Sequence, residues 1–401
     1  MKKIRVNKKF IVFLGYSSFP YGLAEVQKII LISKSLLLTG NHVTVICRNG
    51  THKMADRPEM KVSGVYENIE YIYTSGSCFR DEHFFKRRLF ELKGKINEAL
   101  FLRKKRKNKE LDFAILSTRS FYAVLYYCIL AKLLGFKTIL NYVEYYSGIK
   151  KNWSQIGRRL NDWLFDRYAP LLTDAVFPIS EFIINHIKGV SPAKKYLKIP
   201  GLTNFEKYND IETLQGQPYF LFCGDAGYKE IIYFIIDSFL LLNNNTSVYL
   251  YLVIGGNENN ILEIKKYISD HNQNDKIRLF SKLTEKQLYS YYKNAIALLI
   301  PLRPTSQDLA RFPHKTGEYL ASGNPVISTN YGEVKYYFKD MENMLLANSY
   351  DKQLFAEKMQ FVINNPVEAR KIGLNGKNKA SEIFDYRTNA VIINNFLDSE
   401  S

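Results

Sequence analysis

Arg311, Lys315 and Glu318 stand in the segment RFPHKTGEYLASGNPVI (311–327) at spacings that suit an anionic nucleotide. A helix starting near Pro313 or His314 would carry Lys315 and Glu318 in its first turns, and Gly323-Asn324-Pro325 would end it. The first backbone N–H groups of a helix lack internal partners, so that end attracts a diphosphate. Arg311 and Lys315 would add two cations, and Glu318 could accept hydrogen bonds from the two hydroxyls of a ribose. Taken alone, the segment also reads as an ordinary helix with Glu318 in water. In the first half, NYVEYYSG puts Glu144 just after an apolar run, where a carboxylate can orient hydroxyls or take a proton. A salt-bridged surface residue fits there equally well. Gly22, in FPYGLAEVQK, could let backbone amides approach an anion or could simply connect two elements. His186 and His271 read as surface residues, and no His/Cys/Asp group has metal-ligand spacing, so no metal is expected.

The elements that must position these residues alternate. FIVFLGY (10–16), a glycine-containing loop, an apolar-periodic stretch over 26–38 and HVTVIC (42–47) make one βαβ unit. Further buried-strand candidates are 69–74, 113–117, 138–143, 175–179 and 196–199. The pattern restarts at Tyr219 after a polar segment, with strands expected over 219–223, 248–254, 277–280, 295–300 and 325–329. Such alternation predicts an α/β protein of two Rossmann-like domains, each a mainly parallel sheet covered by helices. The predicted divisions are 1–202, a linker over 203–217, a second domain over 218–383, and a tail over 384–401 packing back on the first. Ligands of open α/β sheets lie at the carboxyl ends of the strands, and the cleft between two domains is the default site.

RFPHKTGEYLASGNPVI resembles the C-terminal signature of the retaining glycosyltransferases of GT-B fold, family 4, roughly P-x-K-x-x-E-Y-x-A-x-G-x-P-V-I. TDAVFPISEFIINHI with YLKIPGL, YFLFCGDAGYKEIIYFIIDSF and KIRLFSKLTEKQLYSYYKNAIALLIPL are similar to further segments of that family in the same order, so the likeness spans nearly the whole chain. The resemblance implies transfer of a hexosyl group from a nucleoside diphosphate sugar to an acceptor hydroxyl with retention, and no cofactor. It implies that Gly224 and Lys229 lie near the donor phosphates, that the backbone of Lys282, Leu283 and Thr284 faces the base, that Glu318 holds the ribose, and that Asn330, Gly332 and Glu333 close over the sugar. Two departures stand out. The family's paired glutamates are eight positions apart, and Ala310 occupies the first, with Asp308 near it but out of register. The arginine that often follows the strand glycine is Asp225, leaving Arg311 or Arg303 to face the phosphate. Glu144 stands where the family often has a histidine.

The charge of +17 is confined to the first half, since residues 1–200 carry +19 and residues 201–401 carry −2. Residues 84–109 (FFKRRLFELKGKINEALFLRKKRKNK) interleave apolar residues with cations, ending in Arg103, Lys104, Lys105 and Arg106. Such a basic amphipathic helix suits an anionic membrane surface, or it packs its apolar stripe on its own domain. Four scattered cysteines and no apolar span suggest a cytoplasmic protein held peripherally at the inner face of the membrane. The expected partners are a nucleotide sugar and a glycan or lipid-linked acceptor of cell-surface glycan assembly, in capsule, exopolysaccharide or lipopolysaccharide. A sugar-nucleotide epimerase of the same architecture, a polyanion-binding protein and a donor-site-degenerate scaffold are the alternatives. The absence of RNA-binding signatures argues against a nucleic-acid partner.

Overall fold

The computed structural model describes residues 8–22, 24–56, 59–149, 155–212, 216–242, 247–273 and 275–400. The chain forms two compact units, 1–202 with 386–401, and 203–385. In the first unit the strands are β1 (Phe10–Leu14), β2 (His42–Cys47), β3 (Ser63–Tyr66), β4 (Ile69–Tyr73), β5 (Phe113–Leu116), β6 (Lys137–Tyr142), β7 (Ala175–Pro178) and β8 (Lys195–Tyr196). They form one sheet in the order β3-β4-β2-β1-β5-β6-β7-β8, parallel except where β3 runs against β4. β1, β5 and β7 are buried almost throughout, which is why they read as unbroken apolar runs. β3 alternates between exposed and half-buried and gave no such signal. The strand expected over 196–199 is reduced to the two residues of β8.

The helices of this unit are α1 (Ala24–Leu38), α2 (Phe84–Lys107), α3 (Phe121–Leu134), α4 (Ile156–Leu172) and α5 (Glu181–Val190). A C-terminal helix, Tyr386–Glu400, belongs to the same unit and packs along α1. The Ser35 hydroxyl donates to the Tyr386 carbonyl (2.6 Å) and the Asn41 amide to Asn394 (2.9 Å), while Ile393 and Leu397 are buried.

Helix α2 is oriented against its amphipathic pattern. Its buried residues are Gly94, Glu98 and Leu102. Arg48, just past β2, donates to Glu98 (2.7 Å), and the Tyr127 hydroxyl donates to the same carboxylate (2.9 Å). Burial pushes the Glu98 carboxyl up, and Arg48 pulls it back. A Cβ at Gly94 would stand 2.5 Å from the Arg48 carbonyl oxygen, so only glycine lets the helix approach this closely. With its polar side inward, α2 turns Phe85, Leu89, Leu92, Ile96 and Leu100 outward, each more than half exposed. Those positions recur every three or four residues and form one stripe. The packing of this stripe on its own domain is therefore excluded.

The second unit contains β9 (Tyr219–Asp225), β10 (Tyr249–Gly255), β11 (Ile277–Phe280), β12 (Ala297–Ile300), β13 (Val326–Thr329) and β14 (Leu345–Ala347), all parallel in the order β11-β10-β9-β12-β13-β14. Its helices are α6 (Lys229–Leu240), α7 (Glu258–Asp270), α8 (Glu285–Asn294), α9 (Ser306–Ala310), α10 (His314–Ser322), α11 (Val334–Tyr337), α12 (Lys352–Asn364) and α13 (Pro366–Phe384); the C-terminal helix is α14. The core gathers Phe220, Leu250, Leu252, Ile232, Ile235, Leu299 and Ile327. The described part of the segment expected as a linker belongs to this unit: Phe205 and Tyr208 are buried in a short helical turn, and Thr203 pairs with Asp385. Its polarity hid two aromatic anchors.

Both sheets have a point where the chain reverses its direction of travel across the sheet. In the first unit it lies between β1 and β5, in the second between β9 and β12. At the first, Gly15 has φ +91° and a Cβ there would stand 2.8 Å from Thr118, so the loops after β1 and β5 touch. Such points open a crevice at the carboxyl ends of the strands.

Candidate functional site

In the second unit the loops after β9, β12 and β13 meet around α9 and α10. Helix α10 ends as its sequence dictates, on Gly323 in the left-handed conformation (φ +78°), and the Asn324 amide donates to the Tyr292 (2.7 Å) and Lys293 (2.8 Å) carbonyls. The Tyr319 hydroxyl, on its buried face, accepts from the Cys223 N–H of β9 (2.8 Å). Its other end is bare. The N-cap is Pro313, with no side-chain cap. The Thr316 hydroxyl and the Arg311 Nε beside it are buried without hydrogen-bond partners.

Lys315 makes no ion pair among the described residues. Glu318, one turn on, is half-buried and has no hydrogen bond among them. Burial pushes its carboxyl up, while Lys315 and Lys207 pull it back. An uncapped helix end with a free cation and an unsatisfied carboxylate a turn apart offers complementary contacts to a diphosphate and a vicinal diol.

Arg311 is held rather than free. Its guanidinium donates to the Tyr228 hydroxyl (2.9 Å), lies 4.9 Å from the Tyr228 ring centroid and pairs with Asp308 (2.7 Å). The same buried Asp308 carboxylate takes Arg303 Nε (2.9 Å), and Arg303 also reaches Glu230 (3.0 Å). Burial would push the Asp308 carboxyl up, but the hydrogen bond from Arg303 and the charge of Arg311 hold it below the usual carboxylate range. Asp308 is thus a structural anchor for two arginines, and the buried Ala310 leaves no acidic group at its own position. Gly332, at φ +63°, packs so closely on the Asp308 carbonyl that a Cβ would stand 2.9 Å from it. Glu333 beside it is buried, while Asn330 is exposed.

Several other expected donor residues have local duties. The Lys229 ammonium pairs with Glu263 (2.5 Å), an exposed pair worth little. Thr284 caps α8 through a reciprocal capping box with Gln287, and Lys282 has φ +56°. Gly224 stands at the end of β9, where a Cβ would press on the Phe222 ring, and Asp225 turns its carboxylate onto the Gly227 N–H (2.8 Å).

In the first unit, Glu144 is half-buried between β6 and a helical turn at Tyr146–Gly148. The carboxylate that organises this region is Asp166, which the sequence did not single out. It accepts from the Tyr142 hydroxyl (2.7 Å) and the Ser147 N–H (2.7 Å), and the Asp166 carbonyl meets His186 (2.8 Å). Glu144 instead shares its electrostatic neighbourhood with Glu25 and Tyr146. Gly22 sits against Val26 and Tyr16, where a Cβ would stand 2.4 Å from the valine.

Residues 204–379 match the family model for glycosyl transferases group 1. The second unit is a group 1 glycosyl transferase domain. The whole chain superposes on sucrose-phosphate synthase from Thermosynechococcus elongatus with a TM-score of 0.77 at 15% identity, covering 98% of this chain and 99% of that one. Anabaena HepE, in complex with UDP and glucose, gives 0.70 at 15%, covering 98% and 100%. The lipopolysaccharide outer core galactosyltransferase WaaB gives 0.63 at 15%, again 98% and 100%. The fold is GT-B. No curated protein sequence matches the chain. In the glycosyl transferase domain, Lys315 and Glu318 lie one turn apart on α10, Arg311 just before it is held by Tyr228 and Asp308, and the Lys229 and Thr284 side chains serve Glu263 and the start of α8.

Proposed function

We propose that the protein transfers a hexosyl group from a nucleoside diphosphate sugar to an acceptor hydroxyl, with retention, in the assembly of a cell-surface glycan. The observation that carries the reading is the uncapped start of α10, with Lys315 in no ion pair among the described residues, Arg311 braced by Tyr228 and Asp308, and Glu318 one turn on in no hydrogen bond among them. The diphosphate would lie on that helix end with Lys315 and Arg311 stabilising the charge left on it as the glycosidic bond breaks, and Glu318 would hold the ribose. Side-chain cations supply that electrostatic work with no metal in the scheme. Gly22, Gly224, Lys229, the Lys282–Thr284 backbone, Asn330, Gly332 and Glu333 are proposed to border the donor. The supporting relatives bind UDP and glucose in one case and are named for lipopolysaccharide in another. Calorimetry with UDP, GDP and ADP, followed by transfer assays with the matching sugar nucleotides and NMR of the product anomer, tests the reading. Binding of no nucleotide would overturn it.

Glu144 is proposed to act at the reacting centre. Glu144→Gln is expected to lower kcat at least tenfold while nucleotide affinity stays within twofold, because only a transition-state contact is lost. An unchanged kcat returns Glu144 to the role of a surface carboxylate.

The enzyme is proposed to work on the cytoplasmic side of an anionic membrane. No described helix is long and apolar enough to cross a bilayer. Tyr122, Ile129 and Leu133 of α3 and Ile156, Leu160 and Trp163 of α4 are likewise at least half exposed. The continuous apolar stripe of α2 supports a role as a binding face. Of the four cations singled out, Arg103 and Lys104 are exposed, but Lys105 pairs with Glu110 (3.0 Å) and Arg106 donates to the Leu134 (3.1 Å) and Leu111 (3.0 Å) carbonyls. Arg106 therefore braces the helix end. Reversing Arg103 and Lys104 to Glu is expected to weaken binding to anionic vesicles by at least tenfold, since each cation contributes about 1 kcal/mol. Binding equal to the parent in a sedimentation assay contradicts the placement.

A further inference from the structure

The first unit holds a cavity of about 290 Å³ at the carboxyl ends of β2 and β4, where α2 begins. Two loops build it, and they are bound firmly to one another. A Cβ at Gly50 would fall 2.1 Å from the Cys78 carbonyl carbon, and the Arg80 N–H donates to the His52 carbonyl (2.9 Å). The lining is hydroxyl-rich and cationic: Thr51, Ser75 and Ser77 stand with Arg80, Arg87 and Arg88. Two carboxylates also line it, and the three guanidiniums outnumber them. Glu91 pairs with Arg88 (2.6 Å), and Asp81 accepts the His83 N–H (2.9 Å). Arg80 and Arg87 make no ion pair among the described residues, and Arg87 is steadied against the Phe84 ring, 5.8 Å from its centroid. The Thr51, Ser75 and Ser77 hydroxyls donate to the Ser17, Ser77 and Phe79 carbonyls, so the donors open to a phosphate here are the guanidinium forks of Arg80 and Arg87, which match its oxygens.

Phe84, Phe90 and Arg87 of α2 line this cavity, and the outward stripe of α2 starts next to it at Phe85 and runs for four turns to Leu100. A polar anionic head and a long apolar chain would thus each find a matching surface, end to end. We infer that this cavity binds the phosphate or diphosphate head of an amphiphile whose hydrocarbon chain lies along Phe85, Leu89, Leu92, Ile96 and Leu100. The inference deepens the acceptor half of the reading above and rests on it only for the consequence that the bound amphiphile carries the acceptor. It assigns a carrier class: a phosphate-linked lipid rather than a neutral glycan.

The test is calorimetric titration of the full chain, with UDP held at a saturating level so that the donor site is occupied. The probes are farnesyl diphosphate, inorganic pyrophosphate and farnesol. Farnesyl diphosphate is expected to bind at least tenfold more tightly than either of the others. Arg80→Gln with Arg87→Gln should weaken farnesyl diphosphate at least tenfold, and Leu89→Ser with Leu92→Ser should weaken it similarly while leaving pyrophosphate unchanged. These residues are at the surface, and thermal melting verifies that the variants fold. Equal binding of farnesyl diphosphate and pyrophosphate would show a free anion site and overturn the inference. So would equal binding of farnesol, or an arginine double variant that binds like the parent. UDP titrated alone reads the donor site separately, so loss of the nucleotide reading leaves this result interpretable.

Discussion

Lys315→Ala is expected to lower kcat and kcat/KM together by about two orders of magnitude, whereas Glu318→Ala is expected to raise the donor KM and leave kcat nearly intact. The two side chains sit one turn apart on α10 but meet different parts of the donor. Lys315 makes no ion pair among the described residues and has only the Glu318 charge nearby to offset it, so it can meet a leaving diphosphate. Charge grows there as the glycosidic bond breaks, and a preorganised cation is worth most at that moment. Glu318 would meet ribose hydroxyls that do not change during the reaction, so its loss weakens ground state and transition state alike. Hydrogen bonds to a charged group contribute roughly 1.5–3 kcal/mol, which corresponds to about a 10- to 150-fold rise in KM. Steady-state kinetics and UDP calorimetry on both variants check the split. If free UDP binds both variants as tightly as the parent, the nucleotide lies elsewhere in the chain.

How far sequence reaches into this molecule depends on the kind of information needed. Strands such as β1, β5 and β12 are legible because burial on both faces demands continuous apolar runs. Helix α10 is legible at both ends, since Pro313 and Gly323 have backbone preferences that act locally. Orientation is not local. The periodicity of α2 shows an apolar stripe, yet it is the distant Arg48 and Tyr127, gripping Glu98, that decide which way the stripe faces. The same holds for the donor site. Asp308 looks like a displaced acidic ligand when counted against Glu318, but its carboxylate is taken by Arg303 and Arg311. The Lys229 and Thr284 side chains serve Glu263 and the start of α8, which their spacing in the sequence does not show. Spacing identifies which residues share an element; only packing tells which atoms remain free for a ligand.

Lys28→Met is expected to stabilise the first unit, the opposite of what most substitutions of buried residues do. Lys28 lies on α1 with 2% of its surface exposed, and its ammonium has no hydrogen-bond partner. Burial pushes its pKa down to about 7, against the pull of Glu25 one turn away. In the unfolded chain the same amine titrates near 10.5. Between those values the unfolded chain binds the extra proton, so stability rises with pH from about 7 to about 10.5. Below pH 7 Lys28 is protonated in both states, its contribution to the slope vanishes and the full cost of the buried charge remains, while Glu25, whose carboxyl burial pushes up to about 7, makes stability fall as pH rises from about 4.5 to 7. Each pKa unit corresponds to about 1.4 kcal/mol, so that cost is on the order of several kcal/mol. Methionine fills a similar volume with no charge, and part of the gain is lost to imperfect packing. The first unit's melting transition should therefore rise by roughly 5–10 °C at pH 7. It should also lose most of its dependence on pH between 7 and 10. Calorimetric scans across that range read both quantities. A variant that melts lower, with the parent's pH slope retained, would show that the Lys28 amine is solvated or paired and not the source of strain at the start of α1.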